Sequence, residues 1–171
     1  MWMNGSGASV PFRGEHAVKM SCDARQLEVL MVEDSLTFAR VTMGALKKGE
    51  IDHRMTWLRD GNDALEFLYR TGRFAHAPRP DLILLDLSLP GLDGRELLVE
   101  IKSDGDMRQI PLVVMTASTD ETDRLRCEEL AVDAYLTKPV DLDKFLWLIR
   151  RLRRFWRDAT LLSTVNAIDE R

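Results

Sequence analysis

The strongest constraint on the fold is an alternation of short apolar runs with helical patterns, repeated five times along the chain. The apolar runs occupy residues 27–32, 53–58, 82–85, 112–115 and 134–137. After each run, apolar residues recur every three to four positions, as they do on one face of a helix. Strands that alternate with helices form βαβ units around a parallel sheet. We therefore predict an α/β fold with a doubly wound parallel sheet of five strands.

The polarity of these segments indicates where each lies in the fold. Residues 82–85 are all apolar, which suits a strand that helices cover on both faces. Residues 53–58 are half polar, which is typical of an edge strand. The helical pattern over residues 120–130 is mostly charged, so we expect this helix to make only a thin contact with the core.

The chain has 171 residues, which is enough for one core of ordinary size. We assign residues 27–159 to this domain, residues 1–26 to a flexible N-terminal extension and residues 160–171 to a C-terminal tail. No apolar run approaches the roughly 18 residues that a membrane helix needs, so we expect no membrane association. Cys22 and Cys127 have neither disulfide-framework nor metal-site spacing. A reduced, cytoplasmic protein is the corresponding expectation.

Charge is distributed unevenly along the chain. The net charge is −4, but residues 148–157 contain five arginines and no acid, so the rest of the chain carries −9. The arginines are Arg150, Arg151, Arg153, Arg154 and Arg157. DNA binding by this segment is a weak alternative, because the same helix must bury a face on the sheet and the remaining surface is acidic. We expect the arginines to pair across a dimer or with acids of the fourth helix, namely Asp120, Glu121 and Asp123.

Chemically active side chains follow four of the five predicted strands. They are Glu33, Asp34, Asp86, Thr116 and Lys138. In an open parallel sheet, ligands bind at the carboxyl ends of the strands, so these residues should form one cup. Close carboxylates repel each other unless a cation neutralises them, and Mg²⁺ suits a site with few carboxylates. A carboxylate can also attack phosphorus, with Lys138 and Thr116 stabilising the transferred group.

Each of these residues also has a purely structural interpretation. Glu33 and Asp34 precede Ser35 and could belong to a helix N-terminus. Asp86 could be a turn residue, Thr116 an ordinary β-branched strand residue and Lys138 a solvated loop lysine. Their joint occurrence after strands one, three, four and five is much harder to explain in this way, and therefore favours a functional site.

Four segments carry a resemblance to a known family. They are VLMVEDS (29–35), DLILLDLSLPGLDG (81–94), PLVVMTAS (111–118) and AYLTKP (134–139). In these segments the sequence resembles the receiver domain of two-component response regulators, which is CheY-like. The resemblance implies a flavodoxin-like fold with strand order 2-1-3-4-5. It also implies that Asp86 is the phosphoacceptor.

The resemblance implies roles for the other strand-end residues. Glu33, Asp34 and Asp86 would hold Mg²⁺ or Mn²⁺ together with the backbone carbonyl of Ser88. Thr116 and Lys138 would contact the phosphoryl group. Thr116 and Tyr135 would form the conformational switch, while Ser88 and Ser118 occupy positions that tune dephosphorylation. The Lys138–Pro139 peptide is expected to be cis.

A finer resemblance points to the partner. The segments GRFAHAPRPDLILLDLSLPGLDGRELL and TKPVDLDKFL, with Phe-Trp at 155–156, are similar to stand-alone response regulators of bacterial and cyanobacterial phytochrome histidine kinases. This implies a phosphoryl group received from a sensor histidine kinase of the phytochrome type, and output through protein contacts because no output domain is expected. The resemblance also implies that the chain is not an enzyme, and that its own catalysis is limited to self-phosphorylation from small phosphodonors and autodephosphorylation.

The last helix carries two possible apolar stripes. Leu142, Phe145, Leu146, Ile149, Leu152 and Trp156 form one stripe that can cover the sheet. Leu148, Leu152 and Phe155 start a second stripe, which we interpret as a homodimer interface on the face of the fourth helix, fifth strand and fifth helix. The alternative is one wide stripe that faces the core.

Two other functions compete with that of a phosphoacceptor. A Mg²⁺-dependent phosphohydrolase with Asp86 as nucleophile would be expected to carry a second acid two residues later, but position 88 is Ser. A phosphorylation-independent adaptor would not need the chemical residues, yet all five positions hold competent side chains.

Overall fold

The computed structural model describes residues 26–152 and contains a five-stranded parallel sheet. The strands are β1 (Leu27–Val32), β2 (His53–Leu58), β3 (Leu82–Leu85), β4 (Leu112–Thr116) and β5 (Ala134–Thr137). Their order in the sheet is β2-β1-β3-β4-β5. The predicted fold and strand order are therefore confirmed, and β4 extends one residue beyond the predicted run to include Thr116.

Five helices connect or follow the strands. They are α1 (Leu36–Lys48), α2 (Gly61–Tyr69), α3 (Gly94–Ser103), α4 (Glu121–Glu129) and α5, of which residues 142–152 are described. Each begins after a short polar residue whose side chain accepts a hydrogen bond from a backbone N–H of the first turn, which fixes the start of the helix. These N-cap residues are Ser35, Asp60, Asp93, Asp120 and Asp141. Two short 3₁₀ turns, Gly72–Phe74 and Met107–Gln109, lie in the connections.

The core has two halves, one on each face of the sheet. Alternate residues of the strands point to opposite faces, so Met31 packs with α1 and α5 while its neighbour Leu30 packs with α2, α3 and α4. All four residues of β3 are buried, whereas β2 is only partly buried. The central and edge positions predicted for these strands are confirmed.

The attachment of α4 to the sheet is thin, as its charged sequence predicts. Only Asp123 and Cys127 are buried within this helix. On the opposite face, α5 buries Phe145, Leu146 and Ile149. Leu142 was expected in the same buried stripe, but it is 38% exposed because it lies in the first turn, where the helix begins.

The junction between β3 and α3 leaves no space for a side chain at Gly94. A Cβ atom at this position would lie 2.1 Å from the backbone oxygen of Asp86 and 2.6 Å from the Cα of Leu87. Glycine is therefore required by close backbone packing, and it seats the start of α3 directly against the end of β3. Across the described residues, no helix is long and apolar enough to cross a membrane.

Candidate functional site

Three carboxylates meet at the carboxyl edge of the sheet, as the strand order requires. Glu33 and Asp34 follow β1, Asp86 follows β3, and one oxygen from each lies within 4.8 Å of the others. Glu33 and Asp86 are buried, while Asp34 is exposed. The backbone N–H of Ser88 donates to Asp86 Oδ1 over 3.0 Å, which fixes the orientation of this carboxylate. The part that the Ser88 carbonyl plays in metal binding stays a prediction.

Lys138 is the cation at this cup in the described structure. Its Nζ donates to Glu33 Oε2 at 2.6 Å and to Asp86 Oδ2 at 2.7 Å. The ammonium also lies 4.1 Å from the centroid of the Phe38 ring, where the π-face attracts a positive charge. The Lys138–Pro139 peptide is cis, as predicted. Lys138 is therefore positioned to balance two buried carboxylates.

Glu33 occupies the most enclosed position of the three acids. Burial raises its pKa above the usual value, although the hydrogen bond from Lys138 and the backbone N–H of Ser35 act in the opposite direction. A buried carboxylate with a raised pKa retains its charge only when cations are close. The cup is therefore an unfavourable place for negative charge unless positive charge neutralises it.

Sequence reasoning missed three residues around the acids. Trp57 is the second-last residue of β2, and its indole N–H donates to the backbone oxygen of Glu33 at 2.7 Å. The Arg59 guanidinium donates to the backbone oxygen of Asp34 at 3.1 Å. Phe38 lies in the first turn of α1. All three could have been suspected from their places beside the carboxyl edge, since the first two occur where β2 ends and the third where α1 begins.

Thr116 and Tyr135 are joined through Ser118. Thr116 is fully buried at the end of β4, and its Oγ1 accepts the N–H of Ser118 at 3.2 Å. The half-buried Tyr135 on β5 donates its hydroxyl to the Ser118 carbonyl at 3.1 Å. The structure therefore brings together the two residues predicted to form a switch, with Ser118 as their common partner; the switching role itself stays a prediction.

Ser118 also contacts an ion pair that the sequence did not predict. Asp123 on α4 receives two hydrogen bonds of 2.6 Å from the Arg95 guanidinium on α3. The Ser118 hydroxyl donates to the same carboxylate at 2.5 Å. The hydrogen bonds from Arg95 are the main reason that the pKa of Asp123 lies below its usual value. Asp123 is thus a charged, buried link between two helices and the loop after β4.

This contact corrects the expected pairing of the arginine-rich segment. Asp123 pairs with Arg95, and Glu121 pairs with Arg124 of its own helix. Within the described part of the chain, Arg150 donates to the Gly49 carbonyl, and Arg151 stacks over Trp147 with 5.3 Å to the ring centroid. Local geometry decides these partners, because α5 packs against α1 on the other face of the sheet from α4. Arg153, Arg154 and Arg157 lie outside the described residues.

The proposed dimer stripe has only part of its residues in the described region. Leu148 and Leu152 are partly buried and pack against the core half formed by α1 and α5. This packing agrees with the alternative of one wide stripe that faces the core. Trp147, which the sequence analysis did not single out, is 58% exposed on the same helix. Phe155 and Trp156 lie outside the described residues, and the dimer interface stays a prediction.

The donor set of the cup fits a hard divalent cation. It offers carboxylate oxygens from Glu33, Asp34 and Asp86, and no cysteine or histidine takes part in the cluster. Oxygen-only donors with few carboxylates suit Mg²⁺ or Mn²⁺, which retain bound waters at such sites. The exposed Asp34 leaves one side of the cup open to solvent, so a cation can enter there.

Comparison with known proteins identifies a family that matches most of this chain. Residues 29–150 match the response regulator receiver domain. The curated response regulator Rcp1 of Synechocystis sp. is 43% identical over 134 residues, which are 78% of this chain and 91% of that protein.

Solved structures agree with this result. The Mn²⁺-bound form of Rcp1 has a TM-score of 0.67 at 44% identity and covers 76% of this chain and 94% of its own. The phosphorylated cyanobacterial phytochrome response regulator RcpA has a TM-score of 0.68 at 38% identity, with coverage of 79% and 96%. The bacteriophytochrome response regulator AtBRR has a TM-score of 0.66 at 36% identity, with coverage of 75% and 93%.

Proposed function

Because this chain belongs to the response regulator receiver family, we propose that it accepts a phosphoryl group on Asp86 from a sensor histidine kinase in a two-component phosphorelay. The observation that carries the proposal is the arrangement around Asp86. One carboxylate oxygen is held by the Ser88 N–H and the other by Lys138, at 3.0 and 2.7 Å. Two further acids lie within 4.8 Å on the cation-binding side.

The residues of the chain support an in-line displacement. A carboxylate oxygen of Asp86 attacks the phosphorus of a phosphohistidine and the P–N bond breaks as the P–O bond forms. The histidine leaves as a neutral imidazole when its other ring nitrogen already carries a proton. Lys138 stabilises negative charge on the transferred group while retaining Glu33 as a second partner. Thr116 provides a hydroxyl at the neighbouring strand end. Water then hydrolyses the acyl phosphate and regenerates the aspartate.

Glu33, Asp34 and Asp86 would hold Mg²⁺ or Mn²⁺, as their oxygen donors suit, and the Mn²⁺-bound form of Rcp1 is a relative with such an ion. When bound, the cation neutralises the acids and the phosphoryl oxygens, so that donor and acceptor approach each other. Asp34 is the exposed member of the set, and its substitution tests the metal site with little disturbance of the core.

Phosphorylation replaces the single negative charge of the Asp86 carboxylate with the nearly two negative charges of an acyl phosphate. We expect the new charge to attract the Thr116 hydroxyl and the loop after β4, after which Tyr135 changes its position and the surface of α4, β5 and α5 is altered. Such a change is a shift between two packings, and phosphorylation drives it only by the difference in its interaction with each. Output then follows from protein contacts at this surface.

The first test is phosphorylation by a small donor. The protein is incubated with acetyl phosphate and Mg²⁺, and its intact mass is measured. We expect an adduct of one phosphoryl group in the parent and in Asp143→Asn, which alters an exposed acid on α5, but none in Asp86→Asn. Absence of an adduct together with absence of beryllofluoride binding would overturn the proposal. Rapid turnover of unrelated phosphate esters would favour a phosphohydrolase instead.

We further propose that the donor kinase is of the phytochrome type, because RcpA is a cyanobacterial phytochrome response regulator and AtBRR is a bacteriophytochrome response regulator. The test is transfer from a phosphorylated phytochrome-type kinase, compared with transfer from an unrelated histidine kinase of equal phosphoryl content. Faster transfer from the phytochrome-type kinase is expected. Equal rates from both kinases would contradict this choice of partner while leaving Asp86 as the acceptor.

A further inference from the structure

Ser118 is the point at which the candidate switch meets the rest of the fold. Its N–H donates to Thr116 Oγ1 and its carbonyl accepts the Tyr135 hydroxyl, at 3.2 and 3.1 Å. Its own hydroxyl donates to Asp123 Oδ2 at 2.5 Å. A displacement of Ser118 must therefore change the hydrogen bonds of Thr116 and Tyr135 together.

The carboxylate of Asp123 that accepts the Ser118 hydroxyl is itself fixed by Arg95. The Asp123 side chain is 8% exposed and accepts hydrogen bonds from Nε and Nη2 of Arg95, a bidentate geometry that fixes direction as well as distance. Arg95 also donates to Asp93 and to the Leu87 carbonyl, beside the phosphoacceptor. The carboxylate of Asp123 thus joins the loop after β4 to the start of α3.

Few other contacts hold α4 to this loop. Cys127 is the only buried apolar residue of the helix. The pairs of Arg124 with Glu121 and Glu128 are exposed and lie within the helix itself, where such pairs contribute little to stability. The backbone N–H of Asp120 also donates to the Ser118 hydroxyl at 3.2 Å, so this N–H and the buried carboxylate of Asp123 together position the first turn of α4 relative to Ser118.

We propose that Asp123 is a positioning residue for phosphoryl-group recognition, which holds Ser118 and the Thr116–Tyr135 pair in the described arrangement and opposes their rearrangement on phosphorylation. This inference rests on the proposed function. When the link is lost, less free energy is needed to move the loop toward the phosphoryl group, so a ligand that favours the moved loop binds more tightly.

The experiment is a beryllofluoride titration in excess Mg²⁺, followed by tryptophan fluorescence, with Asp123→Ala and Ser118→Ala. Both variants should bind beryllofluoride about ten-fold more tightly than the parent, which corresponds to about 1.4 kcal/mol. The double variant should bind no more tightly than the single variants, because each of them already removes the hydrogen bond between Ser118 and Asp123. Arg124→Gln is the matched control on α4 and should stay within about two-fold of the parent, as expected for a surface pair.

General damage to the fold would weaken beryllofluoride binding or leave it unchanged, so tighter binding separates a positioning role from a merely structural one. Unchanged or weaker binding in both single variants would overturn the inference, and so would additive effects in the double variant. If the parent itself fails to bind beryllofluoride, the inference falls, and the proposed function falls with it when the phosphoryl adduct is also absent. If the parent binds beryllofluoride and the variants bind it with the same affinity, the inference fails and the proposed function stands.

Discussion

Replacement of Lys138 by Met tests how the cup balances its charge. Lys138 donates to Glu33 and Asp86 at 2.6 and 2.7 Å, and the two carboxylate side chains are only 2% and 6% exposed. Removal of one partner from a buried ion pair typically costs about 3–5 kcal/mol. The lysine side chain is 15% exposed, so water can partly replace it, and we expect the free energy of unfolding to fall by about 3 kcal/mol at neutral pH.

The pH dependence of this loss identifies its cause. Burial already raises the pKa of Glu33, so its ionised form destabilises the fold above that pKa and its protonated form removes the penalty below it. Removal of Lys138 takes away a contribution that lowers this pKa. The difference between variant and parent should therefore shrink as the pH falls from neutral to about 5. Added Mg²⁺ should stabilise Lys138→Met more than the parent, because it neutralises the same carboxylates.

Urea unfolding of the parent, Lys138→Met and the exposed control Lys144→Met provides the measurement. Comparison at each pH cancels the contributions of carboxylates that do not contact Lys138 and leaves those of Glu33 and Asp86. A loss below about 1 kcal/mol at neutral pH, in the range of an exposed pair, would refute the reasoning. A loss that stays constant with pH would show that packing of the lysine stem, and not its charge, explains the effect.

Three further predictions address packing, reactivity and assembly. Gly94→Ala should lower the free energy of unfolding by about 3 kcal/mol or more, since its Cβ would meet backbone at 2.1 Å. Gly44→Ala, which has open space in α1, should instead raise the free energy of unfolding by about 0.5–1 kcal/mol. Thermal unfolding of both variants and the parent measures these differences. Burial raises the pKa of Cys127 to about 11. In a Cys22→Ser background, iodoacetamide at pH 8 should therefore modify the folded protein far more slowly than the urea-unfolded protein. Equal rates would contradict this burial. Phe155→Arg should lower the sedimenting mass from dimer to monomer, and a mass equal to that of the parent would remove this stripe as an interface.

The strands and the cup could be predicted because both depend on local pattern and on one topological rule. A strand buried on both faces gives a continuous apolar run, as residues 82–85 do. Parallel strands place their carboxyl ends at one edge of the sheet. That rule is sufficient to bring Lys138 to Glu33 over a separation of 105 residues.

The partners of charged helix residues could not be predicted in the same way. Several acids and arginines lie on α3, α4 and α5, and helical periodicity gives each a face but not a neighbour. Asp123 was expected to meet the arginines of α5, yet it accepts Arg95. The described part of α5 lies on the other face of the sheet from α4, and the rotation of α4 about its own axis turns Asp123 toward Arg95 on α3. The apolar stripe of α4 is too weak to fix that rotation from sequence.

The absence of space at Gly94 limits which elements around Asp86 can be displaced. Backbone atoms of the β3–α3 junction pack closely there, so we expect Asp86 not to move toward α3 if it gains a bulky, charged substituent. On the opposite side, the loop after β4 is held through the hydrogen bonds of Ser118 with Thr116, Tyr135 and Asp123, which can rearrange more easily than packed backbone. We therefore expect β3 to keep its position when Asp86 is phosphorylated, and β4, α4 and β5 to take up the displacement.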